Sequence, residues 1–167
     1  MTEVDVTVED AGWERLGDAE ALVRRAVEAA LGASPRPGPV QVGVLLGSDE
    51  AVRALNRSFR GKDRPTNVLS FPAAAQPAGS AEPAPLGDLA LAYGTVAAEA
   101  RAEGKRLEDH VAHLVVHGTL HLLGRDHEVE AEAEAMEALE TAILAGLGIT
   151  DPYRAMAPRE ERDSPTP

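Results

Sequence analysis

The 167-residue sequence contains no cysteine, few aromatic residues and no long apolar run. The absence of cysteine excludes disulfides and thiolate metal ligands, and it is typical of a reducing compartment. Aromatics make up only 3% of the chain, so the core must be built mainly from Leu, Val and Ala. No segment approaches the roughly 18 apolar residues that a membrane helix needs, and the N-terminus lacks the features of a signal peptide. We therefore expect a cytoplasmic protein that does not bind a membrane.

Basic residues are also fewer than acidic ones, which gives a formal net charge of −12. This balance argues against broad, non-specific binding to nucleic acid. Basic residues nevertheless concentrate at 53–64, where five bases accompany a single acid. This strip could contact a polyanion, or it could be an ordinary solvated helix face. The glutamates at 128–140 are interpreted as a solvated helix surface.

The hydrophobic periodicity predicts the order β-α-β-α-β-β-α-α-α in a single α+β domain at 1–150. About four strands form a mixed sheet, packed with five to six helices. Gly32 is predicted to end the first helix, a buried stripe of the second contains Val52, Leu55 and Phe59, and Tyr93 is placed in the fourth strand. Residues 72–85, rich in Pro, Ala and Gly, are predicted to form a long loop, and 151–167 a flexible tail.

All five histidines lie between positions 110 and 127. His117 and His121 are one helical turn apart, so both imidazoles lie on the same side and can reach one ion. Gly124 can adopt the left-handed conformation that ends a helix, and His127 then returns towards the pair. Two histidines with this spacing are more often core or surface residues than metal ligands. The added glycine and third histidine favour metal binding. Three protein ligands leave a fourth position for water, as in a catalytic zinc site.

The spacing H-x3-H-x2-G-x2-H equals that of the metzincin proteases. Their general base is a glutamate directly after the first histidine, whereas this sequence has Gly118 there. Without that carboxylate no residue is assigned to activate the water in peptide hydrolysis, which disfavours a protease.

Three blocks of sequence resemble a known family, the YbeY endoribonucleases or rRNA maturation factors. The blocks are HLVVHGTLHLLGRDH at 113–127, LN at 55–56 with FRGKDRPTNVLSFP at 59–72, and LGD at 86–88. Met136 and Glu140 in the last helix complete the match, which spans residues 3–148. The sequence departs from the family at Arg125, where an aromatic residue is more usual, and in its tail.

The resemblance implies a zinc-bearing α+β fold that cleaves single-stranded RNA, matures the 3′ end of 16S ribosomal RNA and acts in ribosome quality control. It implies zinc ligation by His117, His121 and His127, and a catalytic role for Arg60 together with His117. The implied partners are ribosomal RNA, proteins of the small subunit and an assembly GTPase. The oligomeric state stays open.

The residues themselves leave several roles open. Asp88 either caps a turn or takes part in the chemistry, and Asp126 is a candidate general base by position only. His113 is interpreted as supporting or packed rather than ligating, and His110 as neither. Two other functions stay in view: a zinc hydrolase of another substrate, and a non-catalytic ribosome assembly factor stabilised by zinc.

Overall fold

The computed structural model describes residues 2–33, 39–61, 66–73, 84–124 and 130–149. The side chains at 60, 84 and 130–132 lie outside this description, as do the predicted tail and most of the predicted loop at 72–85. In the described ranges a four-stranded sheet packs with five α-helices and one short 3-10 helix, Ala11–Leu16. The predicted single-domain α+β fold is confirmed.

Four apolar segments form the sheet: β1 (Thr2–Val8), β2 (Val40–Gly47), β3 (Val68–Pro72) and β4 (Ala84–Ala92). The order across the sheet is β1-β2-β4-β3. Strands β1, β2 and β4 are parallel, whereas β3 pairs antiparallel with β4 and forms one edge. The placement of Tyr93 in the fourth strand is wrong, because β4 ends at Ala92 and Tyr93 begins the next helix.

Two helices, α1 (Ala19–Ala33) and α4 (Leu107–Leu122), contribute to the main core on one side of the sheet. Valines and leucines supply most of this core, as the composition predicts; among them are Val23, Val27, Val42, Leu46, Leu91, Val111 and Val115. The prediction that Gly32 ends α1 is wrong. Glycine stops a helix when it adopts a positive φ, and Gly32 is helical and has no such angle.

Helix α2 (Asp49–Arg60) packs on a second, smaller apolar cluster formed by Val52, Leu69, Ala90 and Ala92. Ser48 caps its N-terminus by accepting a hydrogen bond from the amide of Ala51 at 3.1 Å. The predicted buried stripe is right at Val52 and wrong at Phe59, which is 69% exposed. Phe59 lies in the last turn, and its ring contacts Phe71 of β3, which is the edge strand of the sheet within the described ranges.

The remaining helices are α3 (Tyr93–Ala102) and α5 (Glu130–Gly146). Helix α5 packs against α4 and α1, and it buries Met136, Glu140, Ile143 and Leu144. The interpretation of the acidic 128–140 segment as solvated is therefore wrong at Glu140. No helix in the described parts of the chain is long and apolar enough to cross a membrane.

Candidate metal centre

The histidines form a row along α4 that runs from the interior towards the surface. The side chain of His110 is 5% exposed, that of His113 12% and that of His117 27%. The row lies beside the buried apolar face of α4. The imidazoles in the C-terminal half of the helix, His117 and His121, are partly exposed.

His117 and His121 converge through their Nε2 atoms, which are 3.1 Å apart. Their rings are nearly perpendicular, with centroids 4.6 Å apart. Two imidazole nitrogens that each lie about 2.0–2.1 Å from a tetrahedral zinc would be separated by roughly 3.3 Å. The same distance also suits a hydrogen bond from His121 to His117 when no cation lies between them. The pair can therefore supply two ligands to one metal ion with little movement.

The carboxylate of Glu140, on α5, contacts two histidines of α4, His117 and His113. Its Oε2 atom is 2.6 Å from Nδ1 of His117, and its Oε1 atom is 2.9 Å from Nε2 of His113. An ionised carboxylate can only accept hydrogen bonds, so both ring nitrogens must donate. In a neutral His117 the lone pair consequently lies on Nε2, the atom that faces His121.

The contacts of Glu140 do not follow from the interpretation of the whole acidic segment 128–140 as a solvated helix surface. A signal was present in the sequence, because Met136, Glu140, Ile143 and Leu144 follow the spacing of one helix face. A single glutamate within an otherwise apolar stripe indicates a buried carboxylate that needs donors. The family resemblance named the position but not its partners.

His110 belongs to a separate network at the other end of α4. Its Nε2 atom is 2.9 Å from Glu99 Oε1, and the same oxygen accepts a hydrogen bond from Asn67 Nδ2 at 3.1 Å. Asn67 also accepts from the amide of Val68 through its side chain and from the amide of Ala92 through its carbonyl. This network ties the start of β3 to α3 and α4, and it contains neither His117 nor His121.

Gly118 explains physically why the protease glutamate is missing. A Cβ atom at this position would lie 2.8 Å from Leu89 Cδ2 and 3.3 Å from Ser70 Oγ. Ser70 also donates a hydrogen bond to the Gly118 carbonyl at 3.4 Å. Since α4 lies this close to β3 and β4, a longer side chain at 118 would displace the buried side chain of Leu89 or move the helix.

Several predicted site residues lie outside the described parts of the chain. These are His127, Arg125, Asp126 and the side chain of Arg60. Among the described residues, no group of three His, Cys, Asp or Glu side chains could hold a metal ion, so the site needs a further ligand from elsewhere. Gly124 has φ +89, the left-handed conformation predicted at the end of α4.

A separate cavity of about 1090 Å³ opens on the α2 side of the sheet. Its lining includes Asp5, Glu9 and Asp88 and, among the described residues, no basic side chain. Asp88 lies within strand β4 and not in a turn, so the predicted alternative that it caps a turn is wrong. The acidic lining does not favour the phosphates of a nucleic acid.

Comparison with known proteins places this geometry in a family. The family model described as Endoribonuclease YbeY matches residues 7–148. A relative from Azorhizobium caulinodans, named Endoribonuclease YbeY, is 54% identical over 153 residues, which cover 90% of this chain and 96% of the relative. A relative of the same name from Chelativorans is 50% identical and is covered over 92% of its length.

Among solved structures, a solution structure of a Thermotoga maritima protein matches over 98% of both chains. The sequence identity is 27% and the TM-score is 0.53. The family model covers most of the chain, and each of the two named relatives is at least 50% identical to it. The chain belongs to the YbeY endoribonuclease family.

Proposed function

We propose that this chain is a metal-dependent endoribonuclease that cleaves single-stranded RNA, with one zinc ion held by His117, His121 and His127. The observation that carries the proposal is the 3.1 Å convergence of the Nε2 atoms of His117 and His121. The substrate class follows from the relatives, which are named endoribonucleases. The family membership supports RNA as the substrate, and the histidine geometry supports the metal ion.

The donor set suits zinc in particular. Neutral imidazole is a preferred zinc ligand, and two of the proposed three already have their nitrogens close together. Gly124 turns the chain at the end of α4, as a third ligand three residues later requires. When bound, the ion would supply Lewis acidity towards a phosphate oxygen and lower the pKa of a coordinated water.

Arg60 is proposed to bind the scissile phosphate. It is the last residue of α2, the helix that also carries the exposed Arg53 and Arg57. A guanidinium group can hold a phosphate through two parallel hydrogen bonds and stabilise the charge that develops as the bond breaks. The exposed ring of Phe59, one residue earlier, offers a surface on which a base can stack.

Binding to naked RNA should be weak and sensitive to salt. The chain is acidic overall, has few aromatic residues, and carries an acidic cavity beside α2. Specificity would then come from partners, which we propose to be small-subunit proteins and an assembly GTPase during cytoplasmic maturation of 16S ribosomal RNA. Tight binding that does not change between low and moderate salt would contradict this part of the proposal.

The decisive experiment combines metal analysis with RNA cleavage. Purified full-length protein should contain about one equivalent of zinc, and it should cleave a single-stranded fragment of ribosomal RNA but not the same fragment in a duplex. A chelator should abolish cleavage, and zinc should restore it. Stoichiometric zinc without cleavage would instead favour the non-catalytic assembly factor, and cleavage that survives chelation would overturn the proposed metal dependence.

Two variants test whether the protein acts by catalysis or as a non-catalytic assembly factor. Folded Arg60→Ala protein should keep its zinc and lose cleavage, whereas His117→Ala should lose both. If both variants still support ribosome maturation in cells, the catalytic proposal is wrong and the assembly-factor function stands. The product ends report the nucleophile, because a cyclic phosphate indicates attack by the RNA 2′-hydroxyl and not by water.

A further inference from the structure

The most unusual group outside the proposed ligand set is the carboxylate of Glu140. Its side chain is 1% exposed, yet it lies on a helix whose other glutamates at 134 and 137 are exposed. Burial of an ionised carboxylate is costly unless its oxygens receive strong hydrogen bonds. Each oxygen lies within hydrogen-bond distance of a ring nitrogen, and both rings are histidines of α4. The burial of this carboxylate between two histidines therefore indicates that it acts on those histidines.

We propose that Glu140 and His113 are positioning residues of the metal centre, in which Glu140 fixes the tautomer and orientation of His117 and His113 fixes Glu140. This inference rests on the proposed function, because it concerns how the ligand His117 is prepared to bind the ion. It assigns neither residue to the ligand set. Both act through His117.

The tautomer argument follows from the 2.6 Å contact between Glu140 Oε2 and His117 Nδ1. If a neutral His117 carried its proton on Nε2, the Nδ1 lone pair would face a carboxylate lone pair at this distance. Only the Nδ1–H tautomer converts that contact into a hydrogen bond. The carboxylate thus keeps the Nε2 lone pair directed towards His121 even when the metal is absent.

His113 has a different task from His117, although it lies only one turn away. Its Nε2 atom is committed to Glu140 Oε1 at 2.9 Å, and its side chain is 12% exposed. This bond holds the second carboxylate oxygen, so the carboxyl group cannot rotate away from His117. A lysine or arginine could donate to the same oxygen, but it would place a permanent positive charge beside the cation site. A neutral imidazole satisfies the oxygen without that repulsion.

The first test measures the tautomer in metal-free protein, independently of activity. Nitrogen-15 NMR spectra of the wild type should show His117 in the Nδ1–H form. Glu140→Gln should lose this preference, since an amide can present either a donor or an acceptor to the ring. Glu137→Gln on the exposed face of the same helix should leave the spectrum unchanged. Retention of the Nδ1–H form in folded Glu140→Gln protein would overturn the role of Glu140 in fixing the tautomer, and an Nε2–H form in the wild type would overturn the tautomer assignment itself.

The second test measures zinc affinity by competition with a chromophoric chelator. Glu140→Gln should bind zinc about 10- to 100-fold more weakly than the wild type, as is usual when such a partner of a ligand is lost. Glu137→Gln should stay close to the wild-type value. His113→Leu should weaken binding, whereas His113→Gln, which keeps an N–H donor, should recover most of the loss.

The outcomes separate this inference from the proposed function. If the wild-type protein binds no zinc, the proposed function fails. If the wild type binds zinc and folded Glu140→Gln binds it equally well, the positioning role of Glu140 is wrong while the proposed function stands. Should Glu140→Gln fail to fold, the comparison of His113→Leu with His113→Gln decides the point, and equal affinities in that pair would overturn the inference.

Discussion

The two halves of helix α4 use the same residue types in opposite ways. At the N-terminal end, His110 is almost fully buried and its partner Glu99 is 34% exposed. At the C-terminal end the carboxylate of Glu140 is buried, and its partner His117 is 27% exposed. The hydrogen-bond distances differ little, at 2.9 Å and 2.6 Å. What differs is which member of the pair faces outward.

This difference distinguishes a pair suited to holding the fold together from a pair suited to presenting a ligand. A buried histidine that contacts a partly exposed carboxylate, as His110 does, has no nitrogen that an ion can reach. A partly exposed histidine whose Nδ1 contacts a buried carboxylate can direct its Nε2 towards an ion. Exposure of the imidazole, more than the presence of an acid beside it, therefore marks the candidate site. Three sets of variants test the distinction.

The largest expected effect is on zinc affinity. His121→Ala removes a proposed ligand, and the affinity should fall by about 100-fold or more, beyond the loss usual for residues behind a ligand. His110→Ala should leave the affinity close to the wild-type value and instead lower the free energy of unfolding, because a buried side chain is removed. Chelator competition and urea denaturation measure the two effects. A large loss of zinc affinity in His110→Ala would break the distinction between the halves.

The next effect concerns how closely the C-terminal half approaches the sheet. Gly118→Ala should destabilise the protein by about 1–3 kcal/mol, because the new methyl group overpacks the contact with Leu89. Gly32→Ala is the matched control, since its Cβ would meet no atom within 4 Å in helix α1. That change should stabilise the protein by about 0.5–1 kcal/mol. Equal effects in urea denaturation would show that the close approach at Gly118 carries no energetic weight.

The smallest effect tests the N-terminal network alone. Asn67→Asp would place two carboxylates in contact at Glu99, which should cost about 1 kcal/mol at neutral pH because the pair is partly exposed. Adding Glu99→Gln should recover the loss through an exchanged amide–carboxylate bond, with a coupling energy of roughly 0.5–1 kcal/mol. Thermal or urea unfolding gives these values. Zinc affinity should remain the same in Asn67→Asp, in Glu99→Gln and in the double variant, and a change there would connect the two networks.

Much of the fold could be predicted because local pattern and burial agree. The alternating valines of β2 are buried on one side, and Ser48 caps α2 as its position indicates. The errors fall where a neighbour outside the local pattern decides the result. Phe59 fits a buried stripe by spacing, but it lies in the last turn of α2 beside the edge strand β3 and is exposed. Tyr93 continues the alternation of β4, yet the chain has already begun α3.

The site shows the same limit. The spacing of His117 and His121 was sufficient to predict that their nitrogens converge, because one helical turn fixes the geometry. Spacing could not show that Glu140, on a different helix, lies behind them, since that contact depends on how α5 packs on α4. The close packing that excludes a side chain at Gly118 likewise depends on β3 and β4. Ligand pairs within one helix are readable from sequence, whereas their support from other elements is not.

The carboxylate at position 140 gives the order of chain growth a consequence. During synthesis the histidines of α4 emerge well before the helix that carries Glu140, so a nascent chain exposes the imidazoles without the acid that orients them. On the proposed role of Glu140, the orientation of His117 becomes complete only once α5 docks on α4, so His117 is fully prepared to bind an ion only when both helices are in place.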